Sequence, residues 1–211
     1  MINTAVFQNK NFHHVTSDFL VNGLYTYDLS NLANLNTPIS ASLGAGYVDD
    51  FRGANSTLGQ SFSSTTPSAS QPFTADKRLG VYDLNAGLNY GPFGLLAELD
   101  STIDSVNTAQ GSINHLSTYD IAGSYSFKLD QKPIKAVLSY SKTHNMSLVN
   151  MPLFGDYDSK IKSSTGMKSS WLGSLQYEPI KNIYLGPELA YSTMYNQTHT
   201  WTGTMDLTAY F

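Results

Sequence analysis

The sequence predicts an all-β fold, a transmembrane antiparallel up-and-down β-barrel with about ten strands in this chain. Segments of about ten residues alternate between apolar and polar side chains, as strands with two different faces do. The connections between them are alternately short and long, the pattern of barrels that span outer membranes. Charged residues make up 13% of the chain, about half the usual share of roughly 25% in soluble domains. Residues 1–211 are therefore interpreted as a single outer-membrane β-barrel domain, complete in itself or part of a larger barrel.

The alternation defines the predicted strands. It is clearest at 78–90, where Leu84 and Leu88 face away from Asp83 and Asn85. The two faces continue in phase across the following turn, as a hairpin requires. The predicted strands cover residues near 2–9, 13–28, 38–48, 78–90, 93–103, 116–129, 134–144, 167–177, 183–195 and 201–211.

The predicted connections fall into two classes by length. One end of the barrel has short turns at 91–92, 130–133 and 178–182, with a longer one at 29–37. The other end has outward loops at 49–77, 104–115, 145–166 and 196–200. The long loop 49–77 is rich in Ser, Thr and Gly, and loops of this length are usually functional or disordered. It is expected to constrict the lumen, to contact a ligand or to be mobile.

The apolar faces predict contact with the lipid bilayer of a Gram-negative outer membrane. No run of about 18 apolar residues is present, so a membrane-spanning segment must be a strand, and strands cross lipid only in closed barrels. A soluble sandwich or lipocalin-like barrel would also alternate, but with its apolar face inward and more Lys and Glu. The net charge of −4 argues against a nucleic-acid partner.

Aromatic residues are predicted to form two interfacial girdles, one at each end of the barrel. Those near the short turns are Tyr27, Tyr90, Phe93, Phe127, Tyr177 and Phe211, and those near the long loops are Tyr47, Tyr82, Tyr119, Tyr140, Trp171 and Trp201. The last strand alternates up to Phe211, which is typical of a closing barrel strand that the barrel-assembly machinery binds. Residues 1–12 lack a signal peptide, so we expect either a removed leader or the C-terminal piece of a longer barrel.

No arrangement of residues predicts an enzyme. Proteases of the omptin class carry acidic and histidine pairs near the outer rim, and this chain has Asp49-Asp50, His13-His14, His144 and His199 in that region. However, no predicted strand carries an Asp-x-His or Asp-x-Asp pair on one face. An acyl hydrolase needs a Ser, a His and an orienting acid, and Ser is too common here to be informative. The histidines are interpreted as exposed loop or rim residues, with no metal site and no cofactor.

The polar faces predict the lumen wall. Its candidate ligand-binding residues are Asp83, Asn85, Glu98, Asp100, Asp120, Lys135, Glu188 and Asp206, with Lys128 and Gln176 also in the lining. This wall is polar with an excess of acid. In a closed barrel of eight to ten strands the side chains nearly fill the interior, whereas a passage for solutes needs roughly sixteen strands. The number of strands therefore determines what the lumen can pass.

Three segments resemble one family of outer-membrane proteins. They are Leu43-Gly-Ala-Gly-Tyr-Val-Asp-Asp-Phe-Arg52, the run from Val81 to Leu99 that contains Asn89-Tyr-Gly-Pro92, and the tail from Leu185-Gly-Pro-Glu-Leu-Ala-Tyr191 to Phe211. Together they look like the C-terminal portion of LbtU-like siderophore porins. The resemblance implies an iron-uptake barrel that passes a ferric siderophore or iron without a plug domain. Members of that family are longer, and no ligand-contact residue can be transferred from them.

Two functions follow as expectations. The first is an outer-membrane porin or receptor that passes a small polar solute, with a ferric siderophore or iron as the one that the resemblance implies. The second is a small closed barrel that serves as a surface adhesin or structural anchor through loops 49–77 and 145–166.

Overall fold

The computed structural model of the chain describes residues 2–9, 16–29, 37–49, 73–74, 80–108, 111–145, 167–180 and 183–209. All regular structure in these ranges is β. A search of the described residues finds no helix with the length and apolar character needed to cross a membrane. The strands are β1 (Ile2–Asn9), β2 (Thr16–Asp28), β3 (Ile39–Val48), β4 (Phe73–Thr74), β5 (Val81–Tyr90), β6 (Phe93–Thr102), β7 (Val106–Thr108), β8 (Gly111–Ile113), β9 (Ser117–Leu129), β10 (Lys132–His144), β11 (Met167–Ile180), β12 (Ile183–Met194) and β13 (His199–Ala209).

Ten of these strands form one antiparallel sheet in the order β1-β2-β3-β5-β6-β9-β10-β11-β12-β13. Each strand pairs with the next long strand along the chain, so the predicted up-and-down topology and all ten predicted strands are confirmed. β1 and β13 form the two edges of the sheet. We call the end of the sheet that carries the long connections the loop end, and the end with the tight turns the turn end.

A second, smaller sheet was not predicted. It contains β4, β7 and β8 in that order, all antiparallel. The prediction of a plain loop over 104–115 is therefore wrong, because β7 and β8 pair within it. β4, which is residues 73–74 of the predicted loop 49–77, pairs with β7 of this hairpin. Residues 50–72 and 75–77 of that loop, and residues 146–166 of the predicted loop 145–166, lie outside the described residues.

The two faces of the large sheet differ in chemistry. The face that carries Leu43, Leu84 and Leu138 is apolar on every strand whose side chains are described, and we call it the apolar face. The opposite polar face carries Ser, Thr, Asn, Gly and most charged side chains. In the central strands the apolar face is the more exposed one: Leu43 is 66% and Leu84 48% exposed, whereas Gly44 and Asn85 beside them are half-buried. A soluble protein would bury the apolar face instead.

The turn end is closed by tight hairpins. Gly91 has a φ of 54° at the turn between β5 and β6, where a residue without Cβ avoids strain. Asp130 and Gln131 have φ values of 48° and 65°, so both central residues of the β9–β10 turn are left-handed, as in a type I′ turn. The predicted turn at 130–133 is therefore shorter than expected, because β10 already begins at Lys132.

The few buried side chains of the described residues lie near the loop end. Leu116 is the single buried large hydrophobic residue among them, and Ser101, Thr102 and Thr143 are buried polar residues. The Leu116 amide donates to Thr102 Oγ1 at 2.9 Å, and the Tyr195 hydroxyl donates to the Thr143 carbonyl oxygen at 2.9 Å. The described sheet thus has a packed rim at the loop end and no apolar core between its faces.

Candidate functional site

The polar face collects all eight candidate residues predicted from the sequence. They lie on six strands, and the strand pairing puts all of them on the same side of the sheet. The structure brings five of them together on β5, β6 and β9, namely Asp83, Asn85, Glu98, Asp100 and Asp120. The other three, Lys135, Glu188 and Asp206, lie on β10, β12 and β13 and do not join this group.

Three carboxylates form the centre of the site, and we call Asp83, Glu98 and Asp100 the acidic cluster. One carboxylate oxygen of each lies within 4.8 Å of the others. Asp83 and Asp100 are direct cross-strand partners, because the two-residue turn at 91–92 fixes the register of β5 against β6. Like charges that face each other directly across two strands repel, so the cluster favours a cation or protons nearby.

Asn85 holds one side of the cluster. Its Nδ2 donates a hydrogen bond to Asp83 Oδ2 at 3.1 Å. The other oxygen, Asp83 Oδ1, is buried and has no hydrogen-bond partner among the described residues. Asn85 itself lies over Gly44 of β3, where an added Cβ would overlap its amide. The small residue on β3 therefore makes room for the group that orients Asp83.

Asp120 extends the acidic surface to the next strand. It is the cross-strand partner of Glu98 and accepts a hydrogen bond from Ser141 Oγ of β10. Ser141 was not among the predicted site residues, although its place on the polar face of β10 follows from the alternation. Only the register of β9 against β10 shows that it contacts Asp120, and the sequence does not give that register.

Lys128 and Lys135 of the polar face lie near its turn end, away from the acidic cluster. Lys128 and Lys135 line an open cavity of about 360 Å³ together with Gln176, Glu178 and Tyr184. Lys128 lies eight residues from Asp120 along β9, which corresponds to about 26 Å at 3.3 Å per residue. The polar face is thus acidic near the loop end and carries basic side chains near the turn end.

Glu188 and Asp206 lie apart from both groups. Glu188 Oε2 accepts a hydrogen bond from Thr204 Oγ1 at 3.2 Å. Asp206 is the cross-strand partner of Gly186. These carboxylates add negative charge to the polar face near the β13 edge of the sheet.

The chemistry of the site is that of a polar, anionic wall. Carboxylate oxygens at this spacing are ligands that hard divalent cations accept, although exposed acidic groups often cluster without an ion. Two of the described histidines make other contacts: His115 Nδ1 lies 3.0 Å from the Thr102 carbonyl oxygen, and His199 Nδ1 lies 3.2 Å from Thr193 Oγ1. The third, His144, is exposed at the loop end of β10. Of the predicted rim pairs, Asp49 accepts from the Tyr47 hydroxyl at 3.2 Å, while Asp50 and His13-His14 lie outside the described residues.

Comparison with known proteins adds no assignment to this geometry. No protein-family model, no curated protein and no solved structure matches the chain.

Proposed function

We propose that this chain is an outer-membrane β-barrel of a Gram-negative bacterium whose acidic polar face lines a route for a small polar solute. The observation that carries this proposal is the reversed burial of the sheet. Large apolar side chains form a continuous exposed face, while the polar face is the less exposed one in the central strands. A bilayer covers such an apolar face, and water fills the space along the polar one.

The dimensions of the strands support a membrane location. The nine long strands from β2 to β13 contain 10 to 14 residues. A tilted strand needs about 9–11 residues to cross a bilayer. Aromatic residues of the apolar face stand at both ends of these strands, for example Tyr82 and Tyr90 on β5, as interfacial girdles do.

The register of the sheet supports closure into a barrel. Following the cross-strand pairs from Ile2 of β1 through every strand leads to His199, at the loop end of β13. The stagger of a barrel is the number of residues by which the strands are offset when the sheet closes on itself. If Ile2 pairs with Ala209 at the turn end instead of with His199, the stagger is ten residues. Ten residues of about 3.3 Å against ten strands spaced by about 4.8 Å give a tilt of about 35°, at the edge of the range of closed barrels, about 35–45°.

The charge of the wall indicates the class of solute. The acidic cluster and Asp120 lie near the loop end, where an entering solute would first meet the wall. This negative surface concentrates cations and repels anions. A ferric siderophore or iron remains the proposed cargo on the resemblance to LbtU-like siderophore porins.

A second candidate function is favoured by the number of strands. Ten strands are counted in the sheet, and side chains nearly fill a closed barrel of this size. A filled barrel would serve as an adhesin or structural anchor that presents the connections at its loop end. The two candidates share the membrane location and differ in whether the interior conducts.

A conductance measurement tests the proposal. The protein is folded into planar lipid bilayers, and current is recorded across a salt gradient. We expect a cation-preferring current that becomes less selective in the triple variant Asp83→Asn, Glu98→Gln, Asp100→Asn. A protein that folds in the bilayer but passes no current would support the anchor instead. Liposome uptake of a ferric siderophore, compared with the siderophore without iron, then tests the cargo.

A further inference from the structure

We propose that the loop end of the apolar face on β9–β13 binds the anionic phosphate head group of a lipid in the outer leaflet, with Lys142 as its main contact. The inference rests on the proposed membrane location but not on the passage of a solute. Three successive rows of cross-strand partners build this surface. From the loop end towards the middle of the sheet they change from polar to aromatic to apolar.

The first row is polar and lies nearest the loop end. Its members are Tyr119, Lys142, Ser169, Thr193 and His199, each the cross-strand partner of the next. The row carries one ammonium group, three hydroxyl groups and one imidazole on the same side of the sheet; Lys142 is hydrogen-bonded to Tyr119, and Thr193 Oγ1 lies 3.2 Å from His199 Nδ1. These groups are the donors that phosphate oxygens accept.

Lys142 is the cation of this row. Its Nζ lies 5.9 Å from the centroid of the Tyr119 ring. No described carboxylate forms an ion pair with it, and the side chains of the row itself include no acid. The described acids nearest along the neighbouring strands, such as Asp120, lie on the polar face. An anion that reaches the apolar face at this height therefore meets Lys142 without competition from a described carboxylate.

The second row is aromatic at four of its five positions and lies two residues below the first. It consists of Ile121, Tyr140, Trp171, Tyr191 and Trp201. Ring centroids are 4.7 Å apart for Tyr140 and Trp171 and 4.8 Å apart for Tyr191 and Trp201. Tyr and Trp side chains at this density mark the depth at which lipid head groups give way to acyl chains. The cation thus lies on the head-group side of that boundary.

The third row alternates glycine with leucine. Its members are Gly123, Leu138, Gly173, Leu189 and Gly203. Open space lies above Gly123 and Gly173, where an added Cβ would meet no atom within 4 Å. Leu138 and Leu189 are 57% and 54% exposed beside them. The row therefore presents apolar ridges with gaps at the glycines.

Two shallow grooves form at these gaps. One of about 420 Å³ passes Gly123 between Phe93, Tyr125 and Leu138, and another of the same size passes Gly173 between Leu175 and Leu189. Both grooves are lined mainly by apolar atoms and lie below the aromatic row. Acyl chains fit such grooves, and a head group attached to them would reach the polar row above. One lipid with a phosphate head group matches all three rows.

Lipid retention tests the inference. The protein is folded into phosphatidylcholine bilayers that contain phosphatidylglycerol, extracted in a mild detergent, and analysed for bound phosphatidylglycerol by native mass spectrometry. We expect Lys142→Ala to reduce retention about fivefold, the size expected for one lysine at an anionic membrane surface. Lys142→Arg should restore it. Gly173→Leu, which fills the groove, should also reduce retention.

Lys132→Ala is the matched control. Lys132 lies on the same face of β10 at the turn end, and its Nζ is likewise 5.9 Å from a tyrosine ring, that of Tyr177. It already donates to the Pro179 carbonyl oxygen at 2.8 Å, so its removal should leave retention unchanged. Equal retention by Lys142→Ala and the unchanged protein, both folded in bilayers, would overturn the lipid site and leave the membrane location intact. A chain that never enters bilayers would overturn both.

Discussion

Single residues on β13 show most directly how the two faces of the sheet differ. Leu207 lies on the apolar face with 66% of its surface exposed, and Thr204, three residues away, lies on the polar face. A charged side chain is costly where lipid surrounds it and is tolerated where water does. The same substitution at these two positions therefore tests the proposed contact between the apolar face and lipid.

We predict that Leu207→Arg destabilises the protein in lipid by about 2–4 kcal/mol, whereas Thr204→Arg has a much smaller effect. An arginine at 204 would also face the carboxylate of Glu188, which in the unchanged protein accepts a hydrogen bond from the Thr204 hydroxyl. Urea unfolding in phosphatidylcholine vesicles, followed by tryptophan fluorescence, measures both values. Similar losses at the two positions would contradict the assignment of the faces.

The acidic cluster is a second feature of single residues. Asp83 and Asp100 oppose each other across the strands, and Asp83 Oδ1 is buried without a hydrogen-bond donor among the described residues. The repulsion between these carboxylates lowers the stability of the sheet and concentrates negative charge at one place. Replacement of one carboxylate by an amide removes a repulsion and supplies a donor.

We predict that Asp100→Asn raises the free energy of unfolding by up to about 1 kcal/mol, because like charges directly opposite each other destabilise a pair of strands. Glu188→Gln is the control: Glu188 lies outside the cluster and has a hydroxyl donor, so it should show no gain. Unfolding midpoints at low and high salt separate the electrostatic part, which salt screens. A loss of stability in Asp100→Asn would mean that the Asp100 carboxylate makes a stabilising interaction that outweighs its repulsion with Asp83 and Glu98.

At the scale of strands and turns, the periodicity of the sequence predicts where the strands lie but not which side chains meet. The nine long strands from β2 to β13 follow from the alternation, because each has one apolar face among its described side chains. The strands β4, β7 and β8 have two or three residues each, too few for alternation to be seen. The start of β10 at Lys132 was missed because Asp130 and Gln131 form a left-handed turn without the usual glycine.

For the candidate site, too, the sequence predicts the face of the sheet but not the contacts. Alternation places its eight residues on one face, but it does not say which of them meet. That Asp83 faces Asp100 and that Ser141 reaches Asp120 follows from the register of neighbouring strands. Register depends on turn geometry and pairing along the whole strand, which single residues do not reveal.

Close packing on the polar face yields a prediction for β3 and β5. Gly44 of β3 lies beneath the amide of Asn85, which donates to Asp83. We predict that Gly44→Ala displaces Asn85, breaks this hydrogen bond and costs about 1–2 kcal/mol. Gly123→Ala on the apolar face is the control, since its Cβ meets no atom within 4 Å. Unfolding in vesicles compares the two, and equal stability would show that Asn85 does not need the space above Gly44.

At the scale of the whole molecule, the two edges of the sheet decide whether the proposed barrel has ten strands or more. β1 and β13 are the first and the tenth strand of a sheet in which each strand runs opposite to its neighbour, so they run antiparallel to each other. They can therefore pair directly. The accumulated stagger leaves few registers that give a tilt within the range of closed barrels.

We predict that β1 and β13 pair, and paired cysteines test it, since the chain has no cysteine of its own. A stagger of ten residues places Val6 opposite Met205, one of twelve places it opposite Leu207, and one of fourteen places it opposite Ala209. All three give a tilt of about 35–44°. Val6→Cys combined with Met205→Cys, Leu207→Cys or Ala209→Cys should therefore form an intramolecular disulfide in one of the three combinations, seen as a mobility shift without reducing agent. Val6→Cys with Asp206→Cys, where the second residue points to the other face, is the control and should not cross-link. Cross-links between molecules alone, or none in any combination, would mean that β1 and β13 meet other strands and that the sheet belongs to a wider barrel, with room for the solute that a ten-stranded interior restricts.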